Sequence, residues 1–274
     1  MKQFAATLSS GLSAILALML LVLSAEVGLA QRKHAQKPVA VEAPPAASQW
    51  LSINVVRVKP DVLTEFEDFS RREITPAMKK IGVKERTAWA TGVFGEAFEY
   101  VFVTPIDDWA QYDAAPSQIT KALGEEGARK ARRFIESVHT YAVQTRPDLS
   151  YMGKMTGPPK LAVVNWLHIA PGRTAEFENL LKTEIVPAMK KADVRAYLVS
   201  RTVHGGDTNE YVSLTFMDSY AEIGKEQPIV RGMGQAAFNR FVPKTAGIIT
   251  HHERSIARYV PELSFGPAAN ANNK

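Results

Sequence analysis

Glu73-Ile74-Thr75-Pro76-Ala77-Met78-Lys79-Lys80 returns as Glu184-Ile185-Val186-Pro187-Ala188-Met189-Lys190-Lys191, 111 residues further on. The same offset lays residues 50–111 over 161–222 without a gap. Asn54 falls on Asn165, Pro60 on Pro171, Glu65-Phe66-Glu67 on Glu176-Phe177-Glu178, Gly95 on Gly206, and Glu99-Tyr100-Val101 on Glu210-Tyr211-Val212. Identity sustained at one fixed offset marks an internal repeat. The ends match too, Arg146–Tyr151 against Val260–Phe265, there at an offset of 114, so the second copy holds three extra residues before its end.

Each copy reads in the same order. A β-branched, alternating strand covers about 51–59 and 161–170 and stops at Pro60 or Pro171-Gly172. A helix follows over about 61–81 and 173–192, with Val62, Phe66, Phe69 and Ile74, or Phe177, Leu180, Leu181 and Ile185, at helical spacing. Pro76 and Pro187 interrupt that helix and should kink it or start a new turn, because proline lacks the N–H that bonds four residues back. Two strands come next, near 85–93 and 100–105, and near 196–203 and 211–216, the latter pair joined by His204-Gly205-Gly206-Asp207. A second helical region and a last strand end each copy. The order β-α-β-β-α-β predicts an α+β fold of two tandem ferredoxin-like units.

These features resemble the dimeric α/β-barrel superfamily, in particular its NIPSNAP-like and antibiotic-biosynthesis-monooxygenase-like branches. The resemblance spans residues 49–151 and 160–265. It rests on the Glu-Phe-Glu helix, the Pro-Ala-Met-Lys-Lys segment and the Glu-Tyr-Val strand after a glycine turn. It implies two units whose sheets pack face to face as an intramolecular dimeric α/β barrel, so the chain is either a monomer with an internal pseudo-dimer or a homodimer. Burial favours the tandem partner as cover, since helices on one side of a four-stranded sheet leave the other side wet. The resemblance also brings in some haem-degrading relatives, which carry an Asn on the first strand, as at Asn54 and Asn165 here, and a helix histidine as iron ligand. Neither long helix here carries one after Trp109 or Tyr220, so no cofactor is expected, with haem kept as a weak alternative.

Outside the repeat, residues 1–30 read as a signal peptide. Lys2 precedes an apolar run from Leu12 to Leu23, and Gly28-Leu29-Ala30 supplies small residues at a cleavage site. That run is shorter than the roughly 20 residues of a spanning helix; an uncleaved anchor is the rival reading. Cleavage would send the chain to the periplasm or the exterior. Residues 31–48, rich in Ala, Pro, Lys and Gln, form a flexible linker, and 266–274 a disordered tail. No cysteine is present, which excludes disulfides, thiolate catalysis and Cys-held metals. The net charge of +5 is spread rather than clustered, so no nucleic-acid partner is expected.

Two functional classes remain. One is a binding protein with a small apolar or aromatic ligand between the two sheets. The other is a cofactor-free monooxygenase or isomerase acting on an aromatic or quinol-like substrate. His168 and Asn165 are the catalytic candidates, a strand histidine as base and a polar amide in an apolar strand. Asn54, Tyr100, Trp166, Arg201, Tyr211 and His139 are the ligand-binding candidates, as polar tips or ring surfaces on strands and strand ends. None of the six histidines has metal-ligand spacing, and nucleophile-elbow, Walker and dinucleotide motifs are absent.

Overall fold

The structure, a computed structural model, describes residues 47–155 and 157–267. The stretches expected to be a signal peptide (1–30), most of a linker (31–48) and all of the tail but Gly266 and Pro267 lie outside the described residues.

Strands and helices alternate as follows: β1 (Trp50–Val58), α1 (Leu63–Phe69), α2 (Thr75–Lys80), β2 (Thr87–Thr91), β3 (Glu99–Ile106), α3 (Gln111–Phe134), β4 (Ile135–Thr145), a short β5 (Tyr151–Met152), β6 (Leu161–Ile169), α4 (Thr174–Leu180), α5 (Val186–Lys191), β7 (Ala196–His204), β8 (Glu210–Met217), α6 (Tyr220–Ile223), α7 (Pro228–Met233), α8 (Gln235–Phe241) and β9 (Ile249–Tyr259). The expected proline kinks take a definite form. Ser70–Ile74 and Leu181–Ile185 wind as single π-helical turns just ahead of Pro76 and Pro187. Such a wide turn accommodates a ring that crowds the carbonyl four residues back and offers no N–H to it.

The sheet requires a correction. Two ferredoxin-like units packed sheet against sheet as an intramolecular α/β barrel are not what forms. All strands belong to one antiparallel sheet in the order β4-β1-β3-β2-β9-β6-β8-β7-β5, and β4 also pairs with β7. Eight strands therefore close on themselves, through Trp89↔Tyr259 and Thr91↔Ala257 on one side and Thr145↔Ser200 and Gln144↔Arg201 on the other. Four strand edges that separate sheets would leave unpaired find partners in each other, and closure is the arrangement that removes edges altogether. The helices are few and mostly short, and they clad the outside of the barrel.

Strand alternation sorts the side chains between the two faces. Val56, Val58, Tyr100 and Phe102 point out and pack on Phe66, Phe69 and Phe134. In the second half Leu167, Ile169, Val199 and Tyr211 pack on Phe177, Leu181 and Met189. The alternate residues fill the barrel: Trp89, Ala162, Ala257 and Tyr259 with Val101, Val164 and Phe216. Trp89 stacks on Phe216 with centroids 5.8 Å apart and planes 3° from parallel.

Candidate functional site

Two cavities open between barrel wall and helices, one per half. Neither lies inside the barrel, where the sequence reading put the ligand pocket. The second-half cavity is about 380 Å³, within the range of small-molecule sites. Its floor is the outward face of β6, β8 and β9, and its walls are mostly apolar: Val163, Leu167, Phe177, Met189, Ile229, Phe238 and Phe241. Helix α7 roofs it by close approach. A Cβ on Gly232 would stand 2.0 Å from the Ala188 carbonyl oxygen, so only glycine lets α7 sit on α5.

In this mostly apolar setting, which also holds Thr215, Glu222, Gln227 and Thr245, stands one hydrogen-bonded polar cluster. Asn165, 9% exposed, donates through Nδ2 to Ser213 Oγ at 3.3 Å. Its Oδ1 accepts twice, from Arg254 Nε at 2.7 Å and from His252 Nε2 at 3.0 Å. The β6–β9 register makes this possible, since Asn165 faces Arg254 and Leu167 faces His252 across the ladder. His252 and Arg254 are exposed at the rim. Burial, then the Arg254 and His251 charges, hold the His252 imidazole below its ordinary value. The neutral ring with its proton on Nε2, given to Asn165, leaves Nδ1 as a base. Deeper in, Tyr197 is buried and its hydroxyl is pushed up to about 12 by that burial.

The first-half cavity is about 660 Å³ and more polar, lined by Ser52, Asn54, Thr104, Thr140, Lys84 and Asp107 among others. Asn54 Nδ2 donates to Ser52 Oγ at 3.2 Å and its Oδ1 accepts from Thr140 Oγ1 at 2.9 Å. No imidazole or guanidinium reaches it among the described residues.

The other candidates from sequence divide between the barrel mouth and the outer core. Trp166 and His168 alternate with Asn165 and face the barrel interior. Trp166 meets Tyr141 at 5.5 Å between centroids, and Tyr141 stacks on His139 at 4.2 Å. His139 Nε2 lies 2.6 Å from the Gly205 carbonyl oxygen. His168 Nε2 is 3.2 Å from Glu210 Oε2, and its Nδ1 is 3.7 Å from Asp207. Glu210 and Glu99 occupy matching places at this end. Burial raises the carboxyl of each, with Thr202 donating to Glu210 and Thr91 to Glu99. Tyr100 and Tyr211 lie in the outer cores, donating to Glu67 and Glu178 and packed on Phe66 and Phe177. Arg201 lies over the Tyr211 ring and gives Nε to the Thr208 carbonyl oxygen.

The structure thus brings Asn165 to a cavity and sets His168 on the opposite face of the same strand. His252 and Arg254 were not among the sequence candidates. Their signal was the alternation His252, Arg254, Ile256 on the last strand, which acquires meaning only once β9 is registered against β6. Among the described residues no cluster of His, Asp and Glu could hold a metal ion, and no helix is long and apolar enough to cross a membrane.

No family model matches the chain. No curated protein matches it either. Solved structures do resemble it. A candidate monooxygenase from Fusobacterium nucleatum superposes with a TM-score of 0.55 at 14% identity, covering 78% of this chain and 93% of that one. An anthrone oxidase-like protein gives 0.52 at 11%, covering 77% and 91%. Chlorite dismutase from Candidatus Nitrospira defluvii, in complex with imidazole, gives 0.52 at 11%, covering 78% and 92%. These are proteins of the dimeric α/β-barrel superfamily. At such identities the likeness is one of fold, and the class it defines is a helix-clad antiparallel barrel.

Proposed function

We propose that the second-half cavity binds a small, largely apolar aromatic molecule carrying an ionisable hydroxyl or a carbonyl oxygen. The observation that supports this is the Asn165–His252–Arg254 cluster at the rim of a mostly apolar cavity. Leu167, Phe177 and Phe238 offer ring and aliphatic surface, while Arg254 offers charge to an anionic oxygen. Buried apolar area would carry affinity and the cluster would set orientation.

A second reading is catalysis of the cofactor-free monooxygenase kind, favoured by the neutral His252 base beside the Arg254 cation. His252 Nδ1 would take the proton of an acidic ring-activated CH₂ group, and Arg254 with the Asn165 amide would stabilise the resulting enolate. Dioxygen would then take up the electron pair at that carbon, one oxygen atom staying as the new carbonyl and the other leaving as water with both CH₂ hydrogens. The substrate itself is the reductant. The names of the monooxygenase-like and anthrone oxidase-like neighbours lean the same way. Within the superfamily we place the chain nearer that branch than the NIPSNAP-like one, as a tandem duplication exported to periplasm or exterior by residues 1–30.

The test is anthrone, followed by fluorescence for binding and by an oxygen electrode for turnover. The expected result is saturable binding that Phe238→Ala weakens and Arg254→Ala weakens further. Oxygen uptake abolished by His252→Ala would support the enzyme. Binding without uptake would leave a binding protein, and no binding of anthrone or of a hydroquinone would overturn both readings. Mass spectrometry of the exported chain, expected to begin at Gln31, tests the leader.

A further inference from the structure

In the first half, one buried cation lacks an anion. Arg86 precedes β2 and is pinned by its backbone, giving N–H to the Phe265 carbonyl at 2.9 Å and accepting from Phe265 N at 2.8 Å. It is 5% exposed. Its guanidinium carbon lies 3.7 Å from the centre of the Phe102 ring, and Nη1 points at Met78 Sδ, 2.8 Å away. Nε is buried without a partner. Among the described residues no carboxylate pairs with it, whereas the part-buried Arg146 and Arg195 pair with Glu178 and Asp218. Desolvation alone pushes its pKa down, to about 9, with no neighbouring charge acting against it. The group therefore remains a cation at neutral pH.

An isolated charge under protein is costly, and buried donors are ordinarily satisfied. A thioether sulfur is a weak acceptor, and the face of Phe102 offers only a cation–π contact. What Arg86 has left over is its Nε–Nη2 edge, the planar fork that takes a carboxylate through two parallel hydrogen bonds. Met78 joins this group to the first-half cavity, since its sulfur meets Nη1 and its side chain lines the space. An unbranched thioether swings aside easily. Lys84, the cation that lines that cavity while Arg86 lies behind Met78, is already taken by Asp107 at 2.8 Å.

We propose that the first-half cavity is a second ligand site, for a small carboxylate with an apolar or aromatic body. Its carboxylate docks on the Nε–Nη2 edge of Arg86, its body lies along Met78 and Ile81, and Asn54 and Thr104 hydrogen-bond any polar substituent. A carboxylate fits better than phosphate, because beyond the Lys84–Asp107 pair the other charged liner is Glu85, itself an anion, and Ser52, Asn54, Thr104 and Thr140 are neutral, so no lining group could offset a second negative charge. This site is independent of the reading given for the second half.

The test uses benzoate, its neutral isostere benzamide and inorganic phosphate, by calorimetric titration and thermal melting. The full chain carries Arg254→Met, which silences the cation of the other cavity. Benzoate is expected to bind and raise Tm, benzamide and phosphate to do neither. Arg86→Met, which removes an unpaired buried charge, should raise Tm without ligand and lose the benzoate response. If that variant does not fold, Arg86→Lys decides: it keeps the charge without the fork, and should weaken benzoate about tenfold or more. Equal binding of benzoate and benzamide, benzoate binding unchanged in either variant, phosphate in place of benzoate, or no benzoate binding would each overturn the proposal.

Discussion

Asn54 and Asn165 stand at the same place in the two halves and have different company. Asn54 answers to two hydroxyls, Ser52 and Thr140, in the more polar cavity. Asn165 gathers an imidazole and a guanidinium at the rim of a less polar one. The strand is the same and the neighbours differ: at matching positions the last strand has Val138 and Thr140 in the first half, His252 and Arg254 in the second. The cations are also moved. The second half exposes Arg254 beside its cavity, while the first buries Arg86 behind Met78, where the second half has Tyr197. One scaffold thus offers two chemically distinct recesses.

The largest effect should come from the roofs. Gly232→Ala drives a methyl into the Ala188 backbone and should cost about 1–3 kcal/mol or more, read as a fall in urea midpoint, with loss of aromatic binding. Gly127→Ala on α3, where a Cβ meets nothing nearer than the Leu123 Cβ at 3.2 Å, should leave the midpoint nearly unchanged. Equal effects would break the contrast between a tightly seated α7 and a looser α3.

Next is the asparagine pair. Asn165→Leu strips two donors of their shared acceptor and should cost about 1 kcal/mol, limited by the exposure of His252 and Arg254. Asn54→Leu should cost less, since its hydroxyl partners turn to water. A double comparison by urea denaturation would sharpen the difference or erase it.

A pH profile probes the same asymmetry more gently. The folded His252 holds its proton less tightly than the unfolded chain does, so below about 6.5 the unfolded state binds more protons. Stability should therefore fall as pH drops from 6.5 toward the lowered value and level off beneath it. His252→Gln should flatten that part of the curve. Val138 gives the first half no counterpart, so Val138→Gln should leave the slope untouched.

The smallest effects lie at the barrel mouth, where the halves agree. Glu99 and Glu210 are both raised by burial, so each binds its proton more tightly folded than unfolded. Their cost is present at neutral pH and is relieved as pH falls through the raised values. Glu99→Gln and Glu210→Gln should each raise the urea midpoint slightly at pH 7, by similar amounts. A large drop for Glu210→Gln alone would show that its contact with His168 outweighs desolvation.

Much of this was legible in the chain. Strand alternation correctly put Asn54 with Val56 and Val58, and Asn165 apart from Trp166 and His168, because period-two geometry is local. Helical spacing located the Phe66 and Phe177 faces, and Pro76 and Pro187 marked the irregular turns. Tyr100 and Tyr211 show where locality ends. An aromatic with a polar tip on a strand reads equally as a cavity wall or as core, and the Glu67 and Glu178 carboxylates that take their hydroxyls come from helices 33 residues away.

The sequence by itself determined the order of elements, their faces and the 111-residue correspondence, since each rests on contacts within a turn, a strand or a helix. Tertiary structure alone decided the closed barrel, because β2–β9 and β4–β7 join distant segments whose pairing leaves no periodic trace. It also decided the site. Asn165 meets Arg254 and His252 only through the β6–β9 register, and Arg86 is left without an anion only because packing closes over it.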